Sequence, residues 1–223
     1  MSSLAARRTE ILEAAGAEFY ERGYAAATTL ELARRAAISK RDLYALFGSK
    51  RGVLEALIGE YTKAMTLAPP NPPRDAREFL DALEDFGARL LAQLLDDKRV
   101  TFYRLAIAEA PRSDFAAILH DCGIAPVRQS ITAFMTAAVM AGIVAAADAE
   151  TIAEAFFGVL IGQTQIEVLL GLTAAPGISE IAARARQARA VAERLLAALP
   201  SRALKAGRSD AGAALMAPRR GLA

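Results

Sequence analysis

Lys40 and Arg41 follow Ser39 in the stretch ISKRDLYALF, residues 38–47. Serine is a good helix N-cap, so the two cations stand at a helix start. Unpaired N–H groups already make such an end partly positive. Cations there cost about 0.3–1 kcal/mol each unless an anion docks. A phosphate reverses the sign, because the helix dipole and both side chains then act on the same charge. Ser39 adds a hydroxyl, and Tyr44 carries another one turn later. Lys50 opens the next helix behind Gly48-Ser49 as a second device of the same kind. Taken singly, Lys40 and Arg41 are ordinary solvated charges and Tyr44 is half-buried core. Together they point to a polyanion.

The elements that must hold these residues are helical. Leu4, Ile11, Leu12, Ala15 and Phe19 share one face of a first helix that Gly23 ends. Thr29 is the expected N-cap of a second helix, which buries Leu32, Ala33 and Ala36 and turns Arg34 and Arg35 outward. After a break at Ala37-Ile38 comes the short helix with Leu43, Tyr44 and Phe47. Residues 29–47 thus spell helix, turn, helix, the layout that sets a second helix into the DNA major groove. Thr29, Ser39, Lys40, Arg41, Tyr44 and Lys50 are the expected DNA contacts.

A fourth helix is expected over 50–65. Pro69, Pro70, Pro72 and Pro73 then interrupt the chain. Further helices are expected over 74–95, 98–108, 113–120, 124–141, 148–172 and 179–199. In the first of these Phe79, Leu83, Phe86, Leu90 and Leu94 fall in register. Residues 201–223 lack periodicity and read as a disordered basic tail. The expected organisation is all-α. Residues 1–50 form a DNA-binding domain, which a fourth helix joins to a larger helical domain over 51–200.

Composition supports this and excludes other classes. The hydrophobic fraction is 54% of 223 residues, with no Trp, and Ala-rich sequence favours helix. Net charge is only +2, with basic ends around an acidic middle, so a polyanion is expected at an end. Cys122 is the one cysteine, which rules out an internal disulfide and fits a reducing, cytoplasmic setting. The N-terminus has no apolar signal-peptide core. The run from Ile131 to Ala147 is uncharged, reaches only the lower edge of a membrane span and reads as a buried or interface helix. His120, Asp121 and Cys122 are consecutive and cannot all face one ion, so no metal is expected. No nucleophile–base pair or phosphate-binding loop is present, so neither a cofactor nor an enzymatic activity is expected. Cys122 is set between an oxidation sensor and a plain small core residue.

The stretch TTLELARRAAISKRDLYALFGSKRGVLEALI resembles the DNA-binding region of the TetR family of bacterial transcriptional repressors. The matching positions are Leu32-Ala33, Ser39, Leu43-Tyr44, Phe47 and Lys50, within a likeness that runs from about Arg7 to Ile58. It departs in two places. Ala37 stands at a turn position usually held by Gly, which strains Ala if φ is positive, and Arg41 stands where a small residue is common. The stretch RLAIAEAPRSDFAAILHDCG is similar to a C-terminal subgroup near the multidrug-pump regulators. That resemblance implies an all-helical ligand-binding domain whose last two long helices pair across a two-fold axis.

Apolar content points the same way. Phe156, Phe157, Leu160, Ile161, Val168 and Leu169, with Ile181, Ala185, Ala188, Val191, Leu195 and Leu199, suit a four-helix bundle made by two copies. The expected function is a homodimeric repressor that binds a palindromic operator in double-stranded DNA and is released by a small, mostly apolar effector. Phe86, Phe102, Phe115, Phe134 and Met135 are candidate pocket walls and Gln163 a polar anchor, each set against plain core packing. The alternative is DNA binding without sequence preference through the tail residues Arg202, Lys205, Arg208, Arg219 and Arg220.

Overall fold

The computed structural model describes residues 4–63, 65–66 and 73–198. Most of the proline run and the whole basic tail therefore lie outside the described residues. No strand is present among those described.

The first four helices are α1 (Leu4–Arg22), α2 (Thr29–Arg35), α3 (Lys40–Phe47) and α4 (Lys50–Lys63). The N-cap of α2 is Thr28, not Thr29: its hydroxyl accepts from Glu31 N–H, and the Glu31 carboxylate accepts from Thr28 N–H. A Thr three residues before a Glu closes both bonds of a capping box, and only Thr28 has that spacing. Helix α4 stops at Lys63, short of the expected Met65.

Then come α5 (Ala76–Leu94), capped by Asp75, and α6 (Asp97–Glu109), capped by Asp96. Helix α7 (Phe115–Leu119) runs through a π-turn, His120–Ile124, straight into α8 (Ala125–Met140). The expected break at 121–123 is absent. Gly123 is instead a packing position: a Cβ there would stand 3.2 Å from Ile58 Cγ2 and 3.2 Å from Leu119 Cδ1.

The long helix expected over 148–172 is divided. Helix α9 (Ala149–Ile161) ends where Gly162 adopts φ +49, and α10 (Thr164–Leu170) follows. Ala149–Leu170 is apolar and long enough to cross a membrane by length and composition. It is divided at Gly162, and it buries Ile152, Phe156 and Leu160 in the core while Ile166 and Leu170 stay exposed. The last helix, α11 (Ile178–Ala198), packs along α9 and α5.

Two apolar cores result. One joins α5, α8, α9 and α11, with Phe79 stacked on Phe134 at 5.4 Å. The other joins Leu12, Phe19, Leu32, Leu43 and Leu54 to Phe102, Ala106, Phe115 and Ile118. Helices α4, α6 and α7 thus share the core of the N-terminal helices, and a boundary after residue 50 does not separate the cores.

Candidate nucleic-acid interface and effector cavity

Helix α3 projects its first turn outward. Ser39 caps it: the hydroxyl accepts from Asp42 N–H at 3.0 Å and donates to Asp42 Oδ2 at 2.7 Å. Asp42 offsets part of the Lys40 and Arg41 charge, so the helix start tolerates its cations before any anion arrives. Lys40 Nζ sits 5.7 Å from the Tyr44 ring centre, and Arg41 has no ion-pair partner among the described residues. Tyr44 is 45% exposed, with its hydroxyl 3.4 Å from Thr29 Oγ1. Thr29, Lys40, Arg41 and Tyr44 therefore belong to one solvent-facing surface, and the Ser39 hydroxyl is committed to the cap.

Lys50 does something else. Its Nζ donates to the carbonyls of Tyr24, Ala25 and Ala27 at 2.8, 3.1 and 3.0 Å and lies 4.7 Å from the Tyr24 ring centre. An ammonium has three N–H donors, so all are used within the protein. That allocation differs from the phosphate contact expected of it.

The turn between α2 and α3 keeps the left-handed position and is not rearranged around Ala37. Ala37 has φ +52. Its N–H donates to Arg34 O, and Ile38 N–H donates to Ala33 O, the paired bonds of a Schellman helix end. Arg7 adds donors to the Ala36 and Ala37 carbonyls at 3.3 and 3.4 Å. Arg34 and Arg35 are exposed, as expected, and Arg35 pairs across the surface with Glu18 and Glu21 of α1. The Arg35 guanidinium, as hydrogen-bond donor, holds the Glu21 carboxyl below the usual carboxylate range.

The second feature is a cavity of about 1070 Å³ between α5, α6, α8, α9 and α10. Leu90, Leu94, Val127, Ile131, Met135, Phe157 and Ile161 are among its walls, and Gly123 and Ile124 of the π-turn border it. Its polar groups include Tyr103, Gln165, Arg128, Glu150 and Glu154. Burial raises the Tyr103 phenol pKa, which keeps a neutral hydroxyl donor in the wall.

A model described as "Bacterial regulatory proteins, tetR family" matches residues 11–57, and one described as "AefR-like transcriptional repressor, C-terminal domain" matches residues 81–197. The chain belongs to the TetR family of transcriptional regulators. A TetR transcriptional regulator from Agrobacterium tumefaciens is similar at 29% identity over 87% of this chain and 95% of that one, with a TM-score of 0.70. A putative TetR-family regulator from Mesorhizobium loti, at 22% identity over 88% and 98% of the two chains and a TM-score of 0.63, shares the fold. So does the flavonoid-responsive regulator FrrA, at 23% identity over 85% and 94% and a TM-score of 0.65. No curated protein matches.

Of the six expected pocket residues only Met135 lines this cavity. Phe86 lies behind the wall, edge-on to Phe157 at 6.1 Å. Phe134 turns into the core against Phe79, and Phe102 and Phe115 pack on each other at 4.9 Å in the N-terminal core. Gln163 is exposed beside the break at Gly162, and Gln165 takes the inner position. The missing signal was helical spacing: Val127, Ile131, Met135 and Val139 recur every fourth residue on α8 and all line the cavity, whereas Phe134 is one step off that face.

His120 Nδ1 lies 3.0 Å from Oδ1 of its neighbour Asp121. Burial pushes the Cys122 thiol pKa up, away from the reactive thiolate. No group of three His, Cys, Asp or Glu among the described residues could hold a metal ion.

Proposed function

We propose that this TetR-family chain is a cytoplasmic, homodimeric repressor that binds a palindromic operator through α3 and is released when a small, largely apolar molecule fills the cavity. The observation that carries the reading is the π-turn shared by the cavity and the DNA-binding helices. Gly123 borders the cavity and presses on Ile58 of α4, while Thr62 Oγ1 of α4 donates to Cys122 O at 3.1 Å. At its other end α4 meets α3 so closely that a Cβ on Gly52 would lie 1.9 Å from Phe47 O. Arg51 adds ion pairs to Glu55 and to Asp114 beside α7, both at 2.7 Å. Displacing the π-turn therefore displaces α4, and α3 with it. DNA and effector then oppose each other by linkage, each weakening the other's binding by the same factor.

The two-fold reading is supported by apolar side chains that the subunit leaves uncovered. Ile166 and Leu170 are 51% and 65% exposed, and Leu172 and Ile178 are 71% and 89% exposed. The residues first expected on that surface are used differently: Phe156, Leu160 and Val168 are buried within the subunit. A dimer presents its two α3 helices to half-sites about 34 Å apart, one turn of DNA.

The test is selection of binding sites from a random duplex pool at physiological salt. A palindrome is the expected result. Repeating the selection with Arg41→Ala should relax one position in each half-site, by ~1–3 kcal/mol of discrimination. Recovery of no consensus, with binding that collapses as salt rises, would leave only the phosphate contribution and end the repressor reading.

A further inference from the structure

Glu109, the last residue of α6, is 7% exposed, yet nothing in the α3 surface or the cavity uses it. A carboxylate is costly to bury without a partner, so its surroundings carry information. Its Oε2 accepts from Ala25 N–H, 84 residues away, at 3.1 Å. Ala25 belongs to the turn between α1 and α2. The carboxylate also fills the room that a side chain on Gly23 would need: a Cβ there would stand 2.7 Å from Glu109 Oε1, and Gly23 takes φ +82. Ala25 is thus gripped twice, its N–H by Glu109 and its carbonyl by Lys50.

This turn leads straight into the DNA-contact surface. Ala27 N–H returns to Gly23 O at 3.2 Å. Thr28 then caps α2, and Thr29 Oγ1 reaches the Tyr44 hydroxyl on α3. On the other side, α6 reports on the effector domain. Tyr103 of α6 borders the cavity. Arg104 holds the end of α10, with Nε and Nη2 on the Leu169 and Val168 carbonyls at 2.8 and 2.7 Å.

We propose that Glu109 is a positioning residue for DNA binding: its carboxylate sets the α1–α2 turn, and through it the start of α2 against α3, giving α6 its own hold on the DNA-contact surface beside the route through α4. The proposal rests on the DNA-binding reading above.

Three variants of the full-length protein separate the roles of acceptor, charge and bulk. Glu109→Gln keeps an oxygen acceptor within reach of Ala25 N–H. Glu109→Asp keeps the charge but is one methylene too short, and Glu109→Ala removes both. Affinity is measured on the duplex recovered by selection, or on a mixed-sequence duplex should selection return no consensus. That second case sinks the operator reading while leaving the comparison of variants intact. Amide exchange at Ala25 is followed in parallel, below the melting temperature of each variant.

The expected result is about tenfold weaker binding for Asp and Ala, with faster Ala25 exchange and an unchanged salt slope, and Gln within about threefold of the parent. An unchanged slope with a rescue by Gln distinguishes positioning from lost phosphate contacts or loss of fold. Should Glu109→Ala fail to fold, the Asp and Gln pair decides. Parent-like DNA binding by Glu109→Asp despite faster Ala25 exchange overturns the proposal, and so does equal weakening by Gln and Asp.

Discussion

Lys50 shows how a side chain can have the right type and place for one task and be spent on another. It opens a helix behind a Ser, faces the DNA side in sequence, and is nonetheless clamped on three carbonyls of the α1–α2 turn. Charge-assisted hydrogen bonds contribute about 1.5–3 kcal/mol, and a clamp on that turn should sit within that range. Lys50→Ala is therefore expected to lower unfolding stability by about 2 kcal/mol in urea titration while leaving the salt slope of DNA binding unchanged. A slope flattened by about 1, the signature of one lost phosphate contact, with stability intact would return Lys50 to the interface. Residue types alone could not distinguish these outcomes, because the carbonyls that claim Lys50 come from residues 24–27, placed by the fold. The Thr28 cap was different. Its signal, a Thr three residues before Glu31, was present in the sequence and was obscured only by the adjacent Thr29. Hydrogen bonding from Thr28, first through its hydroxyl and then through its N–H, holds the Glu31 carboxyl below its usual range.

At the scale of elements, the turn between α2 and α3 fixes the angle at which α3 leaves the protein. Ala37 holds the left-handed position there with φ +52. A side chain in that region costs about 1–2 kcal/mol, partly offset by the lower backbone entropy of Ala in the unfolded chain. Ala37→Gly should raise stability by about 0.5–1 kcal/mol, seen as a melting temperature higher by about 1–4 °C. A lower melting temperature would mean that the Ala37 methyl makes contacts that outweigh its strain. The positive φ was legible only as one of two outcomes, a strained Ala or a rearranged turn, because the resemblance marked a glycine position there. Two other element boundaries were not. In sequence a break was expected at Gly123 and none at Gly162, and the structure has the reverse. Gly123 stays helical in a π-turn packed closely on Ile58 and Leu119, whereas Gly162 takes φ +49 and ends α9. What separates them is tertiary contact, which periodicity does not encode.

At the scale of the whole molecule, helical class and helix order followed from composition and apolar period, but the sharing of cores did not. Phe102 and Phe115 looked like pocket walls because they lie in the effector half of the chain, and the fold sends them into the N-terminal core. That sharing ties the two halves of the subunit through one apolar core, and the proposed palindromic operator would require two such subunits at a fixed spacing. The uncovered side chains of α10 and the following loop, Ile166, Leu170 and Leu172, are where the second copy is expected. Burying one Leu contributes about 1.5–3 kcal/mol, and two-fold symmetry counts each substitution twice. Leu170→Glu combined with Leu172→Glu would place four carboxylates at the proposed joint and should shift sedimentation from about twice the 23.6 kDa chain mass to the mass of one chain. Operator affinity should fall with it, because each monomer then holds a single half-site and loses the effective concentration that linkage to its partner supplies. The α3 surface lies on other helices, so binding to an isolated half-site should persist in the variant. A variant that remains dimeric moves the joint elsewhere on α9 and α11, and a parent protein that sediments as one chain removes the two-fold reading altogether.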